Sequence, residues 1–122
     1  MKKILIALCL LLPLSINAKT YTKQECKQYA YTQVIKRGWS IKDYKDLVNL
    51  WNKESNWNYK AINRHSGACG IPQALPCKKM KKYGSDYRTN CKTQIKWGLA
   101  YIKSRYKTPS KAWNHFKRKK WY

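Results

Sequence analysis

Ser40-Ile41-Lys42-Asp43-Tyr44-Lys45-Asp46-Leu47-Val48-Asn49-Leu50-Trp51-Asn52-Lys53-Glu54-Ser55 is the stretch from which the rest of the chain can be read. It opens on a capping-box pattern: Ser40 is placed to accept from the backbone N–H three residues on, and Asp43 to reach back. Behind that start, Tyr44, Leu47, Val48 and Trp51 recur at i, i+3, i+4 and i+7, the spacing of one face of an α-helix. The next members of this stripe are Glu54 and Ser55, so the inward face of the helix ends in a carboxylate. Burial among aromatic rings and the negative end of the helix dipole both raise the pKa of such a group. A carboxyl raised toward neutrality is a usable general acid, which makes Glu54 the candidate catalytic residue.

Upstream, Thr22-Lys23-Gln24-Glu25 has the same capping form and starts a helix running to about Arg37, with Gly38 suited to its stop. Cys26, Tyr29, Ala30 and Val34 make its inner side. Downstream, the helical period disappears from Asn56 to Pro76, where Asn58, Asn63, Ser66, Gly67, Gly70, Pro72 and Pro76 mark turns around a short strand pair. A short helix is predicted over Lys78 to Tyr83. Asn90 is the expected N-cap of another, with Ile95, Leu99, Ile102 and Tyr106 facing inward. Pro109 suits the first position of a last helix carrying Ala112, Trp113 and Phe116, ahead of the basic run Lys117 to Lys120 and Trp121-Tyr122. The expected fold is mainly α, with about five helices and a short irregular or hairpin region after the helix that carries Glu54.

Residues 1–18 read as a secretory signal peptide, with Lys2 and Lys3 as its basic start, Ile4 to Leu12 as its apolar run and Ala18 before the cut. Ile16 is bulkier than the small residue usual two places before a cut, which keeps a retained signal anchor as the alternative. Residues 19–122 then form one small domain, secreted or periplasmic. That domain holds Cys26, Cys69, Cys77 and Cys91, an even number in an oxidising compartment, so two disulfides are expected. No C-x-x-C pair supports a zinc site, and neither metal nor cofactor is expected. Three pairings are open; the expected one joins Cys77 to Cys91 and Cys26 to Cys69.

The 122 residues carry 27 Lys and Arg against five Asp and Glu, a formal net charge of +22. Such a surface seeks a polyanion, and charge alone does not separate an anionic cell envelope from nucleic acid. No nucleic-acid motif accompanies the charge, so no specific nucleic-acid partner is expected.

Six blocks carry a resemblance: Leu50 to Trp57, Ala61-Ile62-Asn63, Ser66 to Pro76, Asp86 to Asn90, Gln94 to Ile102, and Ala112 to His115 with Trp121-Tyr122. Their order and spacing resemble the soluble lytic transglycosylase domain, a member of the lysozyme-like superfamily with an α+β fold. The resemblance implies that the substrate is the glycan strand of peptidoglycan. It further implies that Glu54 protonates the β-1,4 glycosidic oxygen between N-acetylmuramic acid and N-acetylglucosamine. Glu54 then acts as base while the muramic 6-hydroxyl closes a 1,6-anhydro ring. By the same resemblance Ser55 contacts substrate, Gln73 and the backbone of Ile71 floor the N-acetyl site, Tyr101 points its hydroxyl at the acid, and Asn63 contributes more weakly.

The residues themselves agree on one point. Ordinary glycosidases flank the bond with two carboxylates, and this chain is nearly bare of them. Asp43 and Asp46 stand at the far end of the Glu54 helix, about 12 to 17 Å away at ~1.5 Å per residue, which leaves Asp86 as the other candidate. A substrate that supplies its own nucleophile needs no second acid. Among the tryptophans, Trp57 is read as a groove wall and Trp97, Trp113 and Trp121 as packing; His65 and His115 are read as surface or packing residues. The expected activity is that of a monomeric lytic transglycosylase. The alternatives are a hydrolytic muramidase with Asp86 helping, and a non-enzymatic cationic protein that binds cell wall or membrane.

Overall fold

The computed structural model describes residues 19–122, so the signal-peptide expectation lies outside the described residues. Among the described residues there are four α-helices and one 3-10 helix: α1 (Lys23–Lys36), α2 (Ile41–Ser55), the 3-10 helix Cys77–Tyr83, α3 (Cys91–Tyr106) and α4 (Pro109–Lys119). The fold is mainly α, as the sequence predicts. In place of a hairpin, the segment after α2 carries two isolated antiparallel bridges, Ile62 with Cys69 and Cys69 with Ala74.

The helix starts follow the local chemistry. Both capping boxes form: Thr22 accepts from Glu25 N while the Glu25 side chain takes the Thr22 N–H, and Ser40 and Asp43 do the same for α2. Asn90 caps α3 through Lys92 N, and Pro109 occupies the first turn of α4 behind the Thr108 cap. Gly38, at φ +80°, turns the chain between α1 and α2, in backbone space that favours glycine.

Helix α2 packs against α4 and α1, while α3 packs against α1, α4 and the 3-10 helix. Leu47, Leu50, Trp51, Ile95, Leu99 and Ile102 are fully buried between them. Gly98 lets α3 pass close to α2: a Cβ there would stand 2.6 Å from the Trp51 ring. The turn-rich segment is tied down from beneath by the buried Gln94 of α3. Its Oε1 accepts from Ile71 N at 2.9 Å, and its Nε2 donates to Tyr59 O and Tyr87 O.

All four cysteines of the domain are paired, but not in the expected pairing. Cys26 bonds Cys91, and Cys69 bonds Cys77. The reason is tertiary. Packing of α1 on α3 brings Cys26 and Cys91, both fully buried, to a Cα separation of 6.0 Å. The turn from Cys69 folds back onto the start of the 3-10 helix and brings Cys77 within 5.5 Å. Spacing along the chain carries neither contact.

Candidate active site

Glu54 is the penultimate residue of α2, where the helix runs out at Asn56 in a left-handed cap. It faces a cleft of about 220 Å³ lined also by Pro72, Gln73, Leu75, Lys79, Trp97, Tyr101, Lys120, Trp121 and Tyr122. Four parts of the chain thus meet around the acid: the turn segment after α2, the 3-10 helix through Lys79, one face of α3, and residues 120–122 folded back over the bundle.

The five acidic residues divide sharply. Glu25 and Asp43 are locked in capping boxes, and Glu25 also pairs with Lys19. Asp46 pairs with Lys42. Asp86 receives hydrogen bonds from Asn90 Nδ2 at 2.8 Å and Thr93 Oγ1 at 2.7 Å, which hold its carboxyl below the usual range, and it does not line the cleft. Among the described residues, Glu54 alone of the five forms neither a hydrogen bond nor a salt bridge. Burial pushes its carboxyl up to about 7.

Around the acid the walls are aromatic. Trp97 and Tyr101, four residues apart on one face of α3, stack at 5.2 Å. Tyr101 meets the edge of Tyr122 at 5.6 Å. Burial first, with a smaller contribution from the Glu54 charge, raises the hydroxyl pKa of both tyrosines. Both hydroxyls therefore stay protonated near neutrality and present donors rather than charges. The Tyr122 hydroxyl takes a hydrogen bond from Trp51 Nε1 at 2.8 Å and gives one to Pro72 O at 2.9 Å. Trp121 is held by the edge of its ring against His115 at 4.5 Å and by a hydrogen bond between its carbonyl and His115 Nδ1 at 2.9 Å.

The structure brings Glu54, Gln73 and Tyr101 together in this cleft and leaves the other expected site residues out. Gln73 lines it with backbone at φ +56°, its Nε2 donating to Gly70 O. Ser55 donates to Ile71 O at 2.8 Å, clamping the turn segment onto the end of α2 rather than facing the cleft. Ile71 is fully buried with both backbone groups taken, the carbonyl by Ser55 and the N–H by Gln94, so its backbone is not free to meet a sugar. Asn63 is exposed, its Oδ1 accepting from His65 N and Ser66 N within its own turn.

Trp57 is a correction. It is not a groove wall: positive φ at Asn56 and Trp57 swings the ring back under α2, where it lies 5.2 Å from Trp51 and donates to Val48 O. Trp97 and Trp121, read as packing, line the cleft instead. The i, i+4 spacing of Trp97 and Tyr101 was the available signal for the first. Lys79, Leu75 and Tyr122 carried none outside the tertiary fold.

Among the described residues no three His, Cys, Asp or Glu side chains converge as metal ligands. The chemistry that Glu54 and its surroundings offer is proton transfer by one carboxyl in an aromatic cleft with cationic rims. Residues 38–117 match the family described as the transglycosylase SLT domain. The chain belongs to the transglycosylase SLT domain family. Membership carries the lysozyme-like fold, glycosidic-bond cleavage and peptidoglycan as substrate at the level of the family. Searches of curated proteins and of solved structures find no match. Within this SLT domain, the match ends before residues 120–122, which the fold nonetheless lays along the cleft. Among the described residues, no helix is long and apolar enough to cross a membrane.

Proposed function

We propose that this SLT domain is a secreted or periplasmic peptidoglycan lytic transglycosylase in which Glu54 serves as the single acid and base. The observation that carries the reading is the isolation of Glu54: a partly buried carboxyl raised to about 7 by burial, with no salt bridge or hydrogen bond among the described residues, in a cleft whose other lining residues include no acid. The protonated carboxyl gives its proton to the glycosidic oxygen, and the bond from that oxygen to the muramic anomeric carbon breaks. The resulting carboxylate takes the proton of the muramic 6-hydroxyl as its oxygen bonds to the same carbon. One proton leaves Glu54 and one returns, and the products are a 1,6-anhydromuramic end and a free 4-hydroxyl.

A hydrolase of the usual kind needs a second carboxylate across the bond. Asp86 is engaged by Asn90 and Thr93 at the start of α3, so the muramidase alternative lacks its partner. Trp97, Tyr101 and Trp121 supply faces for sugar rings, and the net positive charge of the chain draws it to an anionic wall.

The test compares two variants on purified sacculi. Glu54→Gln is expected to fold and to lose about a hundredfold to ten-thousandfold in turnover, the range a general acid supplies. Asp86→Asn is expected to keep turnover within a few fold. Full turnover by Glu54→Gln rejects the proposal, and collapse of Asp86→Asn alone turns it toward a two-carboxylate hydrolase.

A further inference from the structure

A second hollow, of about 580 Å³, adjoins the Glu54 cleft and shares Lys79, Trp97 and Tyr101 with it. It extends along the cleft-facing side of α3 to Ser104 and is roofed by Lys82 and Tyr83 of the 3-10 helix. The two hollows meet at Lys79, Trp97 and Tyr101: Lys79 and Lys120 stand in the Glu54 cleft, and Lys79 and Lys82 in the second hollow.

The 3-10 helix reads Cys77-Lys78-Lys79-Met80-Lys81-Lys82-Tyr83, with all four lysines exposed. It is a rigid mount, because Met80 is fully buried beneath it and the Cys69–Cys77 disulfide fixes its start. Only two salt bridges form among the described residues, Lys19–Glu25 and Lys42–Asp46, so Lys79 and Lys82 have no carboxylate of their own. The second hollow contains no acidic side chain at all. A hollow with aromatic and small-residue walls and two ammonium groups that have no carboxylate partner, Lys82 resting over the Tyr83 ring, is complementary to a chain bearing carboxylates.

We infer that Lys79 and Lys82 bind the carboxylates of the peptide stem carried by the muramic residue, so that this protein selects glycan strands with free-acid stems over bare strands. The inference rests on peptidoglycan being the substrate and adds what part of it is read beyond the sugars. A glycan seated with its scissile bond at Glu54 presents its muramic lactyl substituent to one side of the sugar. The lysine-lined hollow is the neighbouring space in which the attached peptide finds compensating charge. Amidation of those stem carboxylates removes the attraction while leaving size and the sugars unchanged.

Binding tests this separately from turnover. Glu54→Gln is titrated with three soluble probes: glycan strands bearing free-acid stems, the same strands after amidation of the stem carboxylates, and strands stripped of peptide. Trp97 and Trp121 fluorescence gives Kd. Free-acid strands are expected to bind about tenfold tighter than either of the others, the sum expected of two partly exposed charge pairs. Adding Lys79→Ala and Lys82→Ala to Glu54→Gln should bring the ratio to about one. Lys36→Ala with Lys45→Ala, the same charge loss on the exposed sides of α1 and α2, should leave it unchanged.

Equal binding of all three probes overturns the inference, as does a preference that survives loss of Lys79 and Lys82. A preference lost equally with Lys36 and Lys45 overturns it too, in favour of undirected attraction. Turnover by the Glu54-containing protein is read alongside. A stem preference without cleavage would count against the transglycosylase proposal alone, and cleavage without a preference against this inference alone.

Discussion

Trp51 and Tyr122 lie 71 residues apart and are joined by a hydrogen bond of 2.8 Å from the indole Nε1 to the phenol oxygen. The same phenol donates to Pro72 O, so one hydroxyl links the core of α2, the segment that turns beside Glu54, and the last residue of the cleft wall. Tyr122→Phe leaves the Trp51 N–H and the Pro72 carbonyl without their partner. A stability loss of about 1–3 kcal/mol is expected in denaturant unfolding. Turnover should fall with it, because Tyr122 lines the cleft. Unchanged stability would mean that the bridge holds nothing.

Glu54 sets a pH dependence whose sign follows from the direction of its shift. Its carboxyl is raised from 4.5 to about 7, so between those values the folded protein holds a proton that the unfolded chain releases. Stability from this group is therefore present below pH 4.5 and is lost as pH rises through about 7. Glu54→Gln should be more stable than the parent at pH 8, by on the order of 1–2 kcal/mol once solvent access to the carboxyl is allowed for, and equal to it below pH 4.5. Turnover should decline through about pH 7, since the first step needs the protonated acid. Thermal melts of both proteins across this range, with a pH–rate profile, check the two halves of the statement.

Asp43 behaves in the opposite sense. Burial raises its carboxyl, but hydrogen bonds from Ser40 and Ser110 outweigh that and leave it lowered. It caps α2 and also receives Ser110 N of α4 at 3.1 Å, so one side chain fixes two helices. Its contribution is present above its unfolded pKa and lost as pH falls through the lower folded value. Asp43→Ala should cost about 1–2 kcal/mol at neutral pH, with the difference shrinking in acid, as measured by urea unfolding.

Gly98→Ala tests the approach of α3 to α2. Alanine is the better helix former by about 1 kcal/mol. Its Cβ would nevertheless meet the Trp51 ring at 2.6 Å and Pro72 Cβ at 3.0 Å, both packed and unable to yield freely. A net loss of about 1–3 kcal/mol is expected. A stabilised variant would show that the contact relaxes without cost.

The helices were legible because their starts are written locally. Thr22 with Glu25, Ser40 with Asp43, Asn90 and Pro109 each act within one turn of themselves, and each lies where the chain begins a helix. Glu54 was legible as a polar residue in an apolar stripe, a conflict confined to one helix face. What was not legible depends on contacts between distant segments. Cys26 meets Cys91 through the packing of α1 on α3, and the turn that buries Trp57 depends on two consecutive residues with positive φ. Gln94 reads as an ordinary polar residue until two loops, through Tyr59 and Ile71 of one and Tyr87 of the other, converge on its amide. The cleft wall of Trp121 and Tyr122 exists only once residues 120–122 return to α2.

In the proposed reaction the sugar, not water, supplies the nucleophile while Glu54 alone moves the proton. The most direct measurement is the mass of the muramic ends released from purified peptidoglycan digested in heavy-oxygen water. 1,6-Anhydro ends carrying no heavy oxygen are expected, and none released by Glu54→Gln. Reducing ends labelled with heavy oxygen would contradict it and make this SLT domain a hydrolase.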